Sequence, residues 1–171
     1  MNLLMETSRL VLRPFTVEDA TIMYALNSDP EVLKYTGDKQ FESIAETRRF
    51  LEAYDQYQKY KVGRLIVISK EDKEIVGWCG LKFHPDTGDY DLGYRFFQKQ
   101  WGKGYASEAA RACITEGFES LKLNRIIGRV RKENSNSIRV LRKLGMRHVE
   151  DYLEDAKNWQ LFELTASMIR Y

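Results

Sequence analysis

The chain is expected to fold as a layered α/β (α+β) domain on a mixed sheet. Three observations predict this. Runs with strand character lie at both ends and in the middle of the sequence, separated by helical segments. Their order is strand, helices, three strands, helix, strand, helix, two strands, which suits helices packed on a sheet. The length of 171 residues is about one domain's worth on a prior of roughly 100–200 residues. No internal repeat, low-complexity tract or linker interrupts it, so one domain over 1–171 is expected.

The elements follow from local pattern. Thr7 to Arg13 alternates around Leu10 and Leu12 and stops at Pro14, as a strand does. Thr16 is a natural N-cap, with Glu18 and Asp19 in the first turn of a helix to about Asn27. A short helical turn follows Pro30, and a longer helix rich in charge and tyrosine covers 43–60. Leu65–Ile68 and Ile75–Phe83 flank the turn Glu71-Asp72-Lys73 as a hairpin. Asp86-Thr87-Gly88 then turns into a strand over 90–97. Next, Ala106, Ala109, Ala110, Cys113, Ile114, Gly117, Phe118 and Leu121 form one unbroken helical stripe. Its first half is small residues, so this helix can lie very close to whatever it covers. Arg125–Val130 is a strand. Asn136–Leu144 is a helix closed by Gly145, and 146–153 and 157–168 are the last two strands.

Composition narrows the function. Lys plus Arg is 27 and Asp plus Glu is 25, a net charge of +2. That balance gives no reason to expect a nucleic acid or an anionic membrane as partner. Cys79 and Cys113 stand alone, without a CxxC, so neither a zinc knuckle nor a disulfide framework is expected, and no metal. They read as reduced, buried thiols of a cytoplasmic protein. No apolar run reaches the roughly 18–20 residues of a membrane helix. The N-terminus lacks the basic stretch of a signal peptide.

The chemistry concentrates at Trp101-Gly102-Lys103-Gly104-Tyr105-Ala106, between a strand and the small-residue helix. Glycines there let the backbone turn and expose its N–H groups. The helix N-terminus adds partial positive charge, and Lys103 a cation. The turn therefore suits a phosphate, although a glycine turn can also serve geometry alone. It is not a P-loop, which needs G-x-x-x-x-G-K followed by Ser or Thr. It is not a dinucleotide fingerprint either, because Ser107 stands where the third glycine belongs. Asn134-Ser135-Asn136-Ser137 opens the next helix. Ser137 shares the face of Val140, Leu141 and Leu144, so its hydroxyl either caps the helix or faces a site.

These residues together resemble a known family. Leu92-Gly93-Tyr94, the Trp101–Ala109 string, Asn134-x-x-Ser137 and Lys143-Leu144-Gly145-Met146 are similar to the GNAT superfamily of N-acetyltransferases. Thr7-x-Arg9-Leu10-x-Leu12-Arg13 and Asp29-Pro30-Glu31-Val32 bring it nearer the RimJ/RimL-like branch. The resemblance implies a mostly antiparallel mixed sheet of about seven strands flanked by helices and splayed at a bulge in the fourth. It implies acetyl-CoA in the V-shaped gap, with the backbone at Tyr94, Arg95 and Phe96 along the pantetheine arm. Trp101, Gly102, Lys103, Gly104, Tyr105 and Ala106 would form the phosphate loop, with the amides from Gly102 to Ala106 on the pyrophosphate. Asn134 would hydrogen-bond the pantetheine. Trp101 stands where the wider family has Gln or Arg. Leu141 stands where many members carry an acidic Tyr, which leaves Ser137 as the donor to the CoA sulfur. Asn158 replaces an Asp of the last strand.

By the same resemblance the reaction is direct acetyl transfer to a primary amine through a tetrahedral intermediate. Asp91 is the best-placed acid for the base, and a solvated strand residue is its plainer reading. Glu108 reads as a first-turn acid satisfying the helix dipole, and Cys113 as core. Tyr35, in the Lys34–Asp38 turn, and His84 are candidates for the acceptor side, with His84 alternatively a plain loop residue. Tyr54, Tyr57 and Tyr60 either pack or touch substrate. The branch suggests a protein N-terminal α-amine as acceptor. The alternatives are a small amine (polyamine, amino acid or antibiotic), an acyl-CoA-binding module without turnover, and a phosphate-binding fold unrelated to CoA. Dimers are frequent among relatives, so a homodimer is one expected state.

Overall fold

The computed structural model describes residues 3–169. Eight strands form one sheet in the order β1-β2-β3-β4-β5-β6-β8-β7. They are β1 (Met5–Glu6), β2 (Leu10–Pro14), β3 (Arg64–Ser69), β4 (Ile75–His84), β5 (Asp89–Phe96), β6 (Arg125–Arg131), β7 (Arg147–Glu154) and β8 (Lys157–Thr165). The strand beyond the expected seven is β1, which folds back on β2 through a turn closed by Thr7 N to Leu10 O, 2.9 Å. Every pairing is antiparallel except β5 with β6.

The helices are α1 (Ala20–Leu26), α2 (Pro30–Leu33), α3 (Ile44–Glu52), α4 (Gln56–Tyr60), α5 (Tyr105–Glu119) and α6 (Ser135–Lys143). The expected first helix begins as a 3-10 turn, Val17–Asp19. Asp19 there accepts from Thr16 N and from both ends of the Arg13 guanidinium, at 2.7–2.8 Å. The single helix expected over 43–60 is two. The chain breaks after Glu52 so that Tyr54 and Tyr57 can turn inward to the start of β3. Arg64 N donates to Tyr54 Oη at 2.8 Å, and Tyr57 Oη donates to Arg64 O. These tyrosines therefore brace the backbone, and Tyr60 packs on Phe83. The last strand stops at Thr165 and runs into a 3-10 turn, Ala166–Met168.

The α5 stripe does what its small residues predict. Ala109 and Ala110 are fully buried, and Cys113 Sγ comes within 3.9 Å of Cys79 Sγ on β4. Both thiols are free and buried. Leu10, Leu12, Leu65, Val67, Leu92 and Phe96 complete the core on this face of the sheet. Burying each such side chain contributes roughly 1.5–3 kcal/mol. No described helix is long and apolar enough to cross a membrane.

Candidate active site

The two halves of the sheet meet at one point. β5 and β6 run parallel and pair only at Asp91 and Ile127. Beyond that pair the strands diverge, leaving Leu92–Phe96 of β5 and Gly128–Arg131 of β6 to line a V. β5 holds β4 without a register shift from Asp89 to Phe96, so the V opens because β6 leaves. Side chains alternate across it. Leu92, Tyr94 and Phe96 face α5, while Asp91, Gly93 and Arg95 face away.

α5 begins at the mouth of the V. Gly102 and Gly104 adopt φ of +77° and +81°, a region that favours glycine. Among the described residues, the six amides from Gly102 to Ser107 donate to no protein acceptor. The first satisfied amide is Glu108 N, 3.1 Å from Gly104 O. Gly104 caps the helix with no side chain of its own, so the unpaired donors of the first turn stay open to an anion. A Cβ on Gly102 would meet nothing within 4 Å, which shows the room in front of the loop. An open groove of about 790 Å³ continues beside α5 past Arg9, Lys103, Arg111 and Lys143. Uncapped amides, space and cations fit a phosphorylated group such as the pyrophosphate of CoA.

Two expected members of the loop act differently. Lys103 Nζ donates to Gln100 Oε1 at 2.8 Å and so does not reach forward as a free cation. The Trp101 indole donates to Phe96 O at 2.9 Å, which takes that carbonyl from the β5 edge expected to run along the pantetheine. The cation at the cradle is Arg9. Its guanidinium sits 3.4 Å from where a Gly104 Cβ would stand, over the Tyr105 ring, and donates to Lys103 O.

Glu108 holds Arg9 in place. It accepts from Thr7 Oγ1 (2.6 Å), Arg9 N (2.9 Å) and Arg9 Nε (2.6 Å). Burial pushes its carboxyl up, but these donors outweigh burial and hold it at about 2. A carboxylate whose folded pKa is depressed stabilises the fold above its ordinary value near 4.5 and loses that contribution as pH falls toward about 2. Glu108→Gln is therefore expected to lower Tm at pH 7, with the gap to the wild type narrowing through that window in thermal melts. A gap independent of pH would refute the assignment.

The face toward α5 carries a hydroxyl pair. Tyr94 Oη lies 2.8 Å from Ser137 Oγ, joining β5 to the first turn of α6 across the V. Burial pushes the Tyr94 phenol well above its usual range, partly offset by the bond to Ser137. Asn134 Oδ1 caps α6 by accepting from Ser137 N at 3.2 Å, which leaves its amide NH2 free to donate. Leu141 is buried against Gly128, so that position belongs to the core.

The opposite face is polar. Arg64 reaches across Gly80 and Gly93 and donates to Gly80 O (2.5 Å), Asp91 O (2.8 Å) and Asp91 Oδ2 (3.0 Å). A Cβ on Gly93 would stand 2.6 Å from that guanidinium, so a side chain there would push Arg64 off this position. Burial pushes the Asp91 carboxyl up, but His84 and the charges of Arg64 and Arg129 outweigh it and hold it below its usual range. His84 Nε2 lies 3.6 Å from Asp91 Oδ2, just beyond hydrogen-bond distance. Arg95 donates to Asn27 Oδ1 (2.5 Å) and Asp38 Oδ2 (2.6 Å), and both Arg64 and Arg95 lie against Trp78. The loop after Tyr35 bridges the V, with Asp38 on Arg95 of β5 and Gly37 on Trp159 of β8. Tyr35 itself stacks under Lys34.

A split parallel pair with an anion cradle at its mouth defines the class of protein: an acyltransferase fold built to hold a phosphorylated carrier between two strands. The Acetyltransferase (GNAT) domain family matches residues 9–147. The chain belongs to the GNAT acetyltransferases and is an acetyl-CoA-dependent N-acetyltransferase. It is 37% identical over 140 residues to the uncharacterized N-acetyltransferase p20 of Bacillus licheniformis, covering 81% of this chain and 79% of that one. It is 25% identical over 136 residues to spermidine N(1)-acetyltransferase of Escherichia coli K12, covering 78% and 70%. The crystal structure of a GNAT-family acetyltransferase from Bacillus anthracis superposes with a TM-score of 0.81 at 28% identity, over 95% of this chain and 98% of that one.

Proposed function

We propose that this chain, as one catalytic domain over 1–171 working in the cytoplasm, moves an acetyl group from acetyl-CoA to a primary amine across the V between β5 and β6. The observation that carries this reading is the row of six unsatisfied amides at the start of α5, opening onto a gap crossed by the Tyr94–Ser137 pair. When bound, acetyl-CoA supplies an activated acetyl thioester. The amides of Gly102 to Ser107 and Arg9 hold its pyrophosphate, and the Asn134 NH2 donates to the pantetheine. Tyr94 stays protonated at neutral pH and shares a hydrogen bond with Ser137, so the two hydroxyls donate hydrogen bonds toward the departing thiolate, which takes its proton from water. Tyr94 thereby supplies the phenol that Leu141 cannot. Asp91, tied to Arg64, anchors the apex of the V, and the proton of the amine leaves through water.

The RimJ/RimL-like motifs favour a protein N-terminal α-amine as acceptor, and the small-amine relatives favour a free one. Calorimetry with acetyl-CoA, followed by thiol release against peptides and small amines, tests the reading. Binding with turnover supports it, and absence of binding overturns it. Tyr94→Phe and Ser137→Ala are each expected to lower kcat by about 10- to 100-fold while acetyl-CoA affinity changes by less than about threefold. Equal losses in kcat and affinity would make the pair a packing contact instead.

A further inference from the structure

The face of the V turned away from α5 gathers polar groups that nothing in the protein satisfies. Among the described residues, five buried side-chain polar atoms lack a hydrogen-bond partner. Four of them are His84 Nε2, Arg95 Nε, Arg131 Nε and Tyr152 Oη, all on this face. Buried groups of this kind cost free energy unless a ligand or water completes them.

The charges decide which ligand. Alternation from the Asp91–Ile127 pair puts Arg129 and Arg131 of β6 on the same face as Asp91, with Arg129 across the V from Gly93. Of the four arginines here, three already have a carboxylate. Arg64 holds Asp91, Arg95 holds Asp38, and Arg131 holds Glu133. The Arg129 guanidinium makes no hydrogen bond or ion pair with any described residue. It is half-buried, and its charge acts on both Asp91 and Tyr152. Tyr152 pairs with Trp159, which pairs with Arg131, so its hydroxyl stands on that same face. Glu150 and Glu154 flank Tyr152 but are exposed on the edge strand β7, where solvent screens them.

We infer that Arg129 and Tyr152 form an anion subsite for the acceptor, which makes the preferred substrate a small primary amine bearing a carboxylate, of amino-acid type. This rests on the transferase reading. A carboxylate on Arg129 completes the unpaired guanidinium and gives the Tyr152 hydroxyl an acceptor, with the amine beside it in the V where β6 parts from β5. A polyamine would bring cations to the one of these four arginines that no carboxylate contacts.

The test is thiol release with matched pairs, each amino acid against its own carboxamide, together with spermidine, phosphoethanolamine and a short peptide. The carboxamide's amine is the less basic and so the more available for attack, which biases the comparison against the inference. The expected result is a kcat/KM at least about tenfold higher for the carboxylate, the size of one charge-assisted hydrogen bond. Arg129→Gln should erase that ratio by slowing the carboxylate alone, and Tyr152→Phe should reduce it by about threefold. Equal rates for acid and amide, a preference for spermidine or the peptide, or a ratio unmoved in Arg129→Gln would overturn the inference. A stronger rate with phosphoethanolamine would keep the cationic subsite but overturn the carboxylate. If no amine turns over, the transferase reading fails instead. The subsite is then read by titrating amino acid and amide into the CoA-saturated protein by NMR, where equal affinities, or no binding of either, overturn it.

Discussion

Gly104→Glu is expected to abolish acetyl-CoA binding in calorimetry, weakening it by at least about 100-fold. That floor is the upper end of what one charged hydrogen bond contributes, and here several donors are taken at once. The residue sits at φ +81°, where a side chain costs about 1–2 kcal/mol. Its Cβ would stand 3.4 Å from the Arg9 guanidinium, so the new carboxylate would lie between Arg9 and the open amides. It would take the donors that otherwise hold the pyrophosphate, and repel that group as well. A carboxylate at a helix N-terminus is itself worth about 0.3–1 kcal/mol, which offsets part of the backbone strain. The variant should therefore fold, with Tm lowered by only a few degrees, and the loss should be one of binding. Gly102→Ala separates strain from occupancy. It meets the same φ penalty but places a methyl in open space, and should weaken binding by less than about tenfold. Unchanged affinity in Gly104→Glu would remove the cradle from the site.

The cradle was legible in the sequence because its signal is local. Two glycines, a strand before and a small-residue stripe after fix both the turn and the closeness of α5. The V was not legible from the residues themselves. It depends on where β6 parts from β5, a contact between residues 36 positions apart with a single pairing. The break at residues 53–55 was hidden for a related reason, since what ends α3 is the demand of Tyr54 and Tyr57 for the backbone of Arg64. Alternation along β5 does imply that Tyr94 faces the core side. Only the fold reveals that Ser137 waits there. Arg9 belonged to a recognisable opening motif, yet its place beside Gly104 is set by Glu108, 99 residues away. Arg129 carried no signal at all. An arginine in a strand is unremarkable until, among the described residues, no carboxylate proves to touch it.

Asp91 offers the second large effect, and it separates anchoring from catalysis. Arg64 is only 13% exposed and spends three hydrogen bonds on Gly80 and Asp91. Asp91→Ala leaves that guanidinium buried without its counter-charge, and is expected to cost about 3–5 kcal/mol in denaturant unfolding. Asp91→Asn keeps an acceptor for Arg64 and should cost roughly 1–2 kcal/mol. Because the folded carboxyl is held below its ordinary value, its stabilisation is present above that value and is lost as pH falls through the folded one. The asparagine variant should therefore show a smaller loss of stability on acidification than the wild type. Its activity then decides the role. As an anchor, Asp91→Asn retains kcat within about tenfold and leaves the pH–rate profile in place. As the base, it would lose about 10²–10⁴-fold, and the acidic limb of the profile would vanish. The geometry favours the anchor. A carboxylate already neutralised by one arginine and faced by a second holds too little basicity to take a proton from an ammonium group, and the same two arginines make that corner better suited to receiving an anion than to discharging a cation.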